Sequence, residues 1–88
     1  MRFEWDDRKS ELNEEKHGVP LDFGCDIWHS RVVTLRSNKR GEKRKISFGM
    51  IGGECWAVVW EDKGDTRRLI SVRLATRRER SFYDSNDN

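Results

Sequence analysis

The run Cys55-Trp56-Ala57-Val58-Val59-Trp60 is apolar on both faces of an extended strand. A strand of that kind needs cover on both sides, so it belongs at the centre of a sheet. A chain of 88 residues has material for about one core, and this strand must anchor it. Hydrophobic residues make up only 34% of the chain and charged residues 39%, a balance close to that of disordered sequences. Four tryptophans and four phenylalanines pull the other way, because each aromatic ring buries a large area. The expectation is one domain over residues 1–83 with a thin, aromatic-rich core, followed by a frayed tail over 84–88. A core so thin leans on a partner for stability.

On either side of the central run the hydrophobic period is two. Val32, Thr34 and Arg36 alternate with Val33 and Leu35. After the loop SNKRGEK, Ile46, Phe48 and Met50 share one face, with Lys45, Ser47 and Gly49 on the other. Gly52-Gly53 is a two-residue hairpin signal, and Lys63-Gly64-Asp65 makes a second turn. In the strand TRRLISVRL, strict alternation puts Ile70, Val72 and Leu74 on one face and Leu69, Ser71 and Arg73 on the other. It also puts Arg67 on the side of Ser71 and Arg73, and Arg68 opposite.

The N-terminal part reads differently. Residues 2–5 form a short strand. Asp6 caps a helix that runs to His17 and stops at Gly18. Pro20 opens a second short helix with Leu21, Gly24, Ile27 and Trp28 at helical spacing, although Gly24 disfavours it. Thr76 and Glu79 fit a capping box that starts a terminal helix through Tyr83. The element order is β-α-α-β-β-β-β-α. Short turns make the consecutive strands antiparallel, and the expected class is α+β with the helices packed on one face of a small antiparallel sheet.

Several function classes are excluded by what the chain lacks. The N-terminus MRFEWDDRKS has no apolar core of a signal peptide, and no run is long enough to span a membrane. A cytoplasmic setting with Cys25 and Cys55 as free thiols is the expectation. His17, Cys25, His29 and Cys55 match no zinc spacing, so no metal or other cofactor is expected. The glycines of FGMIGGE fit neither a P-loop nor a dinucleotide fingerprint, and no G-x-S-x-G elbow occurs.

Charge is strongly segregated. Residues 1–15 carry three basic and six acidic side chains; residues 31–45 carry seven and one; residues 67–80 carry six and one. Two basic blocks in a chain of net charge +2 point to a local polyanion-binding face, or to solvated strand and helix faces. The first helix sharpens the choice. Lys9, Asn13, Lys16 and His17 fall at i, i+4, i+7 and i+8 and share one face, while Leu12 is its only aliphatic residue. Cations at the end of a helix suit its dipole, which accounts for Lys16 and His17 without any function. If that helix lies across the sheet, however, Lys16 and His17 sit near Ser71, Arg73 and Arg44. A histidine, a lysine and two arginines around one cavity meet the needs of RNA cleavage without a metal. One group removes the 2′-hydroxyl proton, cations stabilise the phosphorane, and an acid protonates the leaving 5′-oxygen. Imidazole suits proton transfer near neutral pH. Lys9, Asn13, Arg67, Arg68 and Arg77 complete the expected RNA-binding surface. The competing reading places the arginines in structural ion pairs, with Glu11 or Glu15 as candidate partners.

These residues also form a pattern. Phe3-Glu4-Trp5-Asp6, Lys9, Asn13 and Lys16-His17-Gly18-Val19 resemble the start of the BrnT family of toxins. Arg44, Ile46, Phe48 and Gly49 resemble its R-x-I-x-x-G strand. Arg68-Leu69-Ile70-Ser71-Val72-Arg73-Leu74-Ala75-Thr76, with Arg77 and Glu79, resembles its R-I-I-S-A-R-x-A-T-x-x-E element. Val72 stands where that family often has alanine, Pro20 where a capping Ser or Thr is common, and Gly24 where a helix former is. The resemblance implies a RelE-like fold and a ribonuclease toxin of a type II toxin–antitoxin system. It further implies a BrnA-type ribbon-helix-helix antitoxin, contact with operator DNA only through that antitoxin, and a toxin–antitoxin hetero-oligomer. The alternative is a binding module whose basic face holds an antitoxin or nucleic acid with no turnover.

Overall fold

A computed structural model describes residues 1–36 and 41–86. The central run lies within the strand β4 (Glu54–Lys63), third of five in the order β1-β5-β4-β3-β2. Its neighbours are β3 (Arg44–Ile51) and β5 (Thr66–Leu74), with β2 (Val32–Arg36) at one edge and β1 (Arg2–Glu4) at the other. Gly52 and Gly53 both take positive φ, the backbone that a two-residue hairpin between β3 and β4 requires. Pairs β2–β3, β3–β4 and β4–β5 are antiparallel, as short turns dictate; β1 is parallel to β5 because it returns through the helices. The α+β class stands, with a mixed rather than purely antiparallel sheet. Of the loop SNKRGEK, residues 37–40 lie outside the described residues, as do residues 87–88 of the tail.

The alternation of β4 separates two cores. Trp56, Val58 and Trp60 face one way and pack with Leu21, Ile27, Leu69 and Val72. Cys55 and Ala57 face the other way and pack with Phe48 and Tyr83. A 3-10 helix (Leu21–His29) covers the first face. The terminal helix α2 (Arg77–Ser85) covers part of the second, which corrects the expectation that all helices lie on one face. The two-sided apolar character of β4 demanded this second cover. α2 begins with the expected capping box of Thr76 and Glu79 and runs to Ser85, beyond Tyr83. It is fastened by a reciprocal lock. The Tyr83 hydroxyl donates to the Arg31 carbonyl (2.9 Å), and Arg31 Nη1 donates to the carbonyls of Tyr83 (3.1 Å) and Asn86 (2.8 Å). A cation on the last carbonyls also suits the helix dipole.

The first face admits the 3-10 helix only because of two glycines. A Cβ on Gly24 would lie 2.7 Å from Val72 Cγ2 and 3.0 Å from Val58 Cγ2. A Cβ on Gly49 of β3 would lie 2.9 Å from Ile27 Cβ. Gly24 costs helix propensity and is present because the sheet leaves no room for a side chain. In this core the Trp60 indole donates to the buried Ser47 hydroxyl (2.8 Å), which also bonds Thr34 (2.7 Å), while the buried Trp56 indole N–H has no hydrogen-bond partner among the described residues.

The helix α1 (Asp7–His17) is held differently. Asp6 caps it by accepting the Lys9 amide, and Gly18 ends it at φ 85°. It has no apolar face: Leu12 is 53% exposed, and its buried residues are Ser10 and Asn13. The Ser10 hydroxyl accepts the Leu21 amide (2.9 Å). The Asn13 amide accepts from the Val72 N–H (3.1 Å) and donates to the Val72 carbonyl (2.8 Å) and the Val19 carbonyl (2.8 Å). The short β1 leaves the later part of β5 without a neighbouring strand, and α1 lies along that edge.

Replacing Gly24 with alanine forces a clash with two valines of the sheet. Gly24→Ala is expected to destabilise the protein by about 1–3 kcal/mol, read from its urea midpoint. The same change at the open turn position Gly41, where a Cβ meets nothing, acts only through its positive φ.

Candidate functional site

A β-bulge decides which side chains of β5 reach the site. Val59 pairs with Ser71 but Trp60 pairs with Leu69, so Ile70 is an extra residue in β5. The expected alternation fails at that point. Leu69 and Val72 both enter the first core, while Ser71 and Arg73 project on the second face. Before the bulge the assignments are inverted. Arg67 lies on the first face, over the rings of Trp28 and Trp60, and Arg68 lies on the second face, bonded to Glu4 (2.7 Å). Strict alternation had placed these two arginines the other way round.

Between α1 and the bulge lies a hollow of about 200 Å³ lined by Lys9, Leu12, Asn13, Lys16, His17, Ile70 and Ser71. The expected stripe of α1 therefore does meet β5. Its middle member has a different task from the one expected. Asn13 is only 7% exposed and spends three hydrogen bonds on backbone groups, so it positions α1 rather than meeting RNA. Lys9 and His17, one turn to either side of it, and Lys16 line the same hollow. His17 is half-buried, and Lys9 and Lys16 are exposed.

Arg73 projects from β5 on the same face as Ser71 but does not line the hollow. Its guanidinium holds Glu79 of α2 in a two-pronged pair, at 2.7 and 2.9 Å, and also donates to the Leu74 carbonyl (3.3 Å). The Glu79 carboxylate in turn accepts the Thr76 amide of the capping box (2.8 Å). Hydrogen bonding from Arg73 holds the Glu79 carboxyl below the usual range against its partial burial, and Glu79 raises Arg73. The ion pairs foreseen for these arginines thus exist, with Glu79 and Glu4 as partners rather than Glu11 or Glu15.

Arg44 shares the second face too, in a cross-strand row with Glu61 and Arg68. It is exposed and lines a different, larger surface depression with Arg36, Glu42, Lys43, Lys45 and Asp62. Two strand spacings and about four residues separate it from Arg73, roughly 16 Å by strand geometry. Arg77 is exposed at the start of α2. Lys9, Lys16, His17 and Ser71 therefore gather in one place, Arg73 and Arg68 lie on the adjoining face in ion pairs, and Arg44 lies farther out on it.

Other reactive groups stand apart from this hollow. His29 is exposed on the first face beside Trp28. Cys25 and Cys55 are free thiols. Burial, with Asp22 and Asp26 adding to it, pushes the Cys25 thiol up to about 11, so it is a poor nucleophile at neutral pH. Burial also raises Cys55. Among the described residues no group of His, Cys, Asp and Glu has the arrangement of a metal site, and no helix is long and apolar enough to cross a membrane.

The motifs on α1, β3 and β5 are matched as a whole by one family description, the ribonuclease toxin BrnT of type II toxin–antitoxin systems, over residues 5–79. The chain belongs to the BrnT family. No curated protein matches it closely. As a BrnT toxin it is an endoribonuclease, and its type II system implies a protein antitoxin as partner. The matched span takes in all of α1, the whole sheet from β2 to β5, and the Arg73–Glu79 pair.

Two stability measurements test the assembly of this site. Asn13→Asp keeps the shape of the side chain but removes both of its donors, leaving the Val72 and Val19 carbonyls unmet; a loss of about 2–4 kcal/mol is expected in urea unfolding. For Glu79 the folded carboxyl titrates below its unfolded value, so its stabilising effect is full at neutral pH and disappears as pH falls through the folded value. Glu79→Gln is therefore expected to cost about 1 kcal/mol at pH 7, and its urea midpoint should converge on that of the wild type as the pH falls below the titration of the folded carboxyl.

Proposed function

We propose that this BrnT toxin cleaves RNA without a metal, through attack of a 2′-hydroxyl on the adjacent phosphorus, in the hollow between α1 and the β5 bulge. The observation that carries the reading is the meeting of Lys9, Lys16 and His17 with Ser71 in one small concave site. In the reaction the 2′-oxygen bonds to phosphorus and the bond from phosphorus to the 5′-oxygen breaks. The 2′-proton passes to a base and the 5′-oxygen takes a proton from an acid, leaving a 2′,3′-cyclic phosphate and a 5′-hydroxyl. His17 serves as proton carrier, the one imidazole in the hollow. Lys16 and Lys9 supply positive charge to the phosphorane, and the Ser71 hydroxyl supplies a hydrogen bond. Arg73, two positions along the same face, keeps N–H donors beyond those given to Glu79 and Leu74, and stabilises the scissile phosphate or its neighbour. Arg44, Arg68 and Arg77 hold the strand farther along the basic face.

A ribbon-helix-helix antitoxin of the BrnA type neutralises the toxin in this proposal, and operator DNA is bound only through it. An acidic segment of such a partner suits the same basic face that holds RNA, which explains inhibition by occupation.

Cleavage of a labelled RNA in EDTA, with mapping of the product ends, tests the reaction. His17→Ala is expected to lower the rate by roughly 10²–10⁴ with an unchanged melting temperature. A cyclic phosphate at the 3′ end is the expected product. Undiminished cleavage by a folded His17→Ala protein overturns the role given to His17.

A further inference from the structure

The proposed reaction makes no use of Arg67. This side chain is half-buried on the first face, with its guanidinium 4.6 Å from the Trp28 ring centroid and 4.8 Å from that of Trp60. Its companions on β5 have carboxylate partners: Arg68 pairs with Glu4 and Arg73 with Glu79. Among the described residues Arg67 has none. Two indole rings, set edge to face at 89°, hold it by cation–π contact. Among the described residues its N–H donors meet no carboxylate.

Beside it opens a cavity of about 440 Å³ lined by Met1, Phe3, Cys25, Trp28, His29 and Arg67. Among the described residues no carboxylate lines it. Phe3 and Trp28, with ring centroids 5.5 Å apart, make an aromatic wall, and the exposed His29 stands at its rim. The volume lies in the range of roughly 300–1,000 Å³ typical of small-ligand sites. Its chemistry is that of a site for a planar, apolar group joined to an anion.

We propose that this cavity is a second RNA-binding station, which takes one nucleotide of a single strand with its phosphate on Arg67 and its base against Phe3 and Trp28. A guanidinium fork fits two phosphate oxygens, and bases stack on aromatic rings or on a guanidinium plane without regard to sequence. The station rests on the ribonuclease reading for the identity of its ligand. It does not rest on the hollow, because Ser71 and Arg67 leave β5 on opposite faces. A strand held at both places passes round the edge of the sheet where β1 and α1 lie. The station then sets which nucleotides flank the scissile bond without touching the reacting atoms.

The test is an NMR titration of the 15N-labelled protein with a 2′-O-methyl oligoribonucleotide of ten residues, whose blocked 2′-oxygens cannot attack phosphorus. The indole N–H signals of Trp28 and Trp60 are expected to move as RNA is added. Arg67→Gln is expected to weaken binding about tenfold and to lower the slope of log affinity against log salt by about 0.7, the value for one phosphate contact on a single strand. His17→Ala is expected to leave the indole shifts in place, so failure of the hollow and failure of the station give different results. Indole signals unmoved by RNA overturn the station, as does an Arg67→Gln protein with the affinity and salt slope of the wild type. If Arg67→Gln lowers stability, the wild-type indole shifts decide alone.

Discussion

The side-chain amide of Asn13 does the work of a missing strand. Where β5 runs on past β1, the N–H and the carbonyl of Val72 face sideways with no backbone partner, and a buried unpaired peptide group costs about as much as a lost hydrogen bond. Asn13 meets both, as the next residue of a sheet would. Most surface helices are attached by an apolar stripe. α1 has none, so its position depends on this amide and on Ser10. The residues one turn on either side of the clamp, Lys9 and His17, are those that line the hollow. The same contact that fastens the helix fixes its register against Ser71.

The bulge at Ile70 complements the clamp. A single inserted residue lets β5 send Leu69 and Val72 into one core, and it turns Ser71 toward α1. It also decides which of two neighbouring arginines takes which face. Arg68 joins the second face with Arg73 and Arg44, and Arg67 joins the aromatic cluster of the first. The basic side chains of β5 are divided between two surfaces, and the bulge sets Arg68 rather than Arg67 beside Arg73.

Much of this architecture can be read locally. The apolar run of β4, the Gly52-Gly53 hairpin, the Asp6 and Gly18 caps and the Thr76–Glu79 box each carry their instruction within a few residues, and each forms as expected. The bulge was not legible, because it exists only relative to a partner strand; TRRLISVRL alternates acceptably in either register. The side taken by α2 was not legible for a similar reason. Tyr83 and Phe82 mark an apolar face but do not say which face of the sheet will receive it. Of the site, the stripe on α1 followed from spacing, while its meeting with Ser71 depended on where the helix would lie, which spacing alone does not give. The role of Asn13 did not follow either, since a polar residue in a charged stripe gives no sign that a strand edge will need it. The partner of Arg73 lies six residues away on α2, and looking to the acids of α1 overlooked that nearer carboxylate.

Gly24 and Gly49 press the 3-10 helix against the sheet from both sides of the contact, one hydrogen atom standing where any other residue has a carbon. A methyl group at either place would lift the helix, and Trp28 rides on that helix. The tilt of this indole, and through it the direction in which Arg67 points, is therefore set by two positions that carry no chemistry at all. Drift at one of them would have to be answered at the other, or at the valines between, for the aromatic cradle to keep its shape.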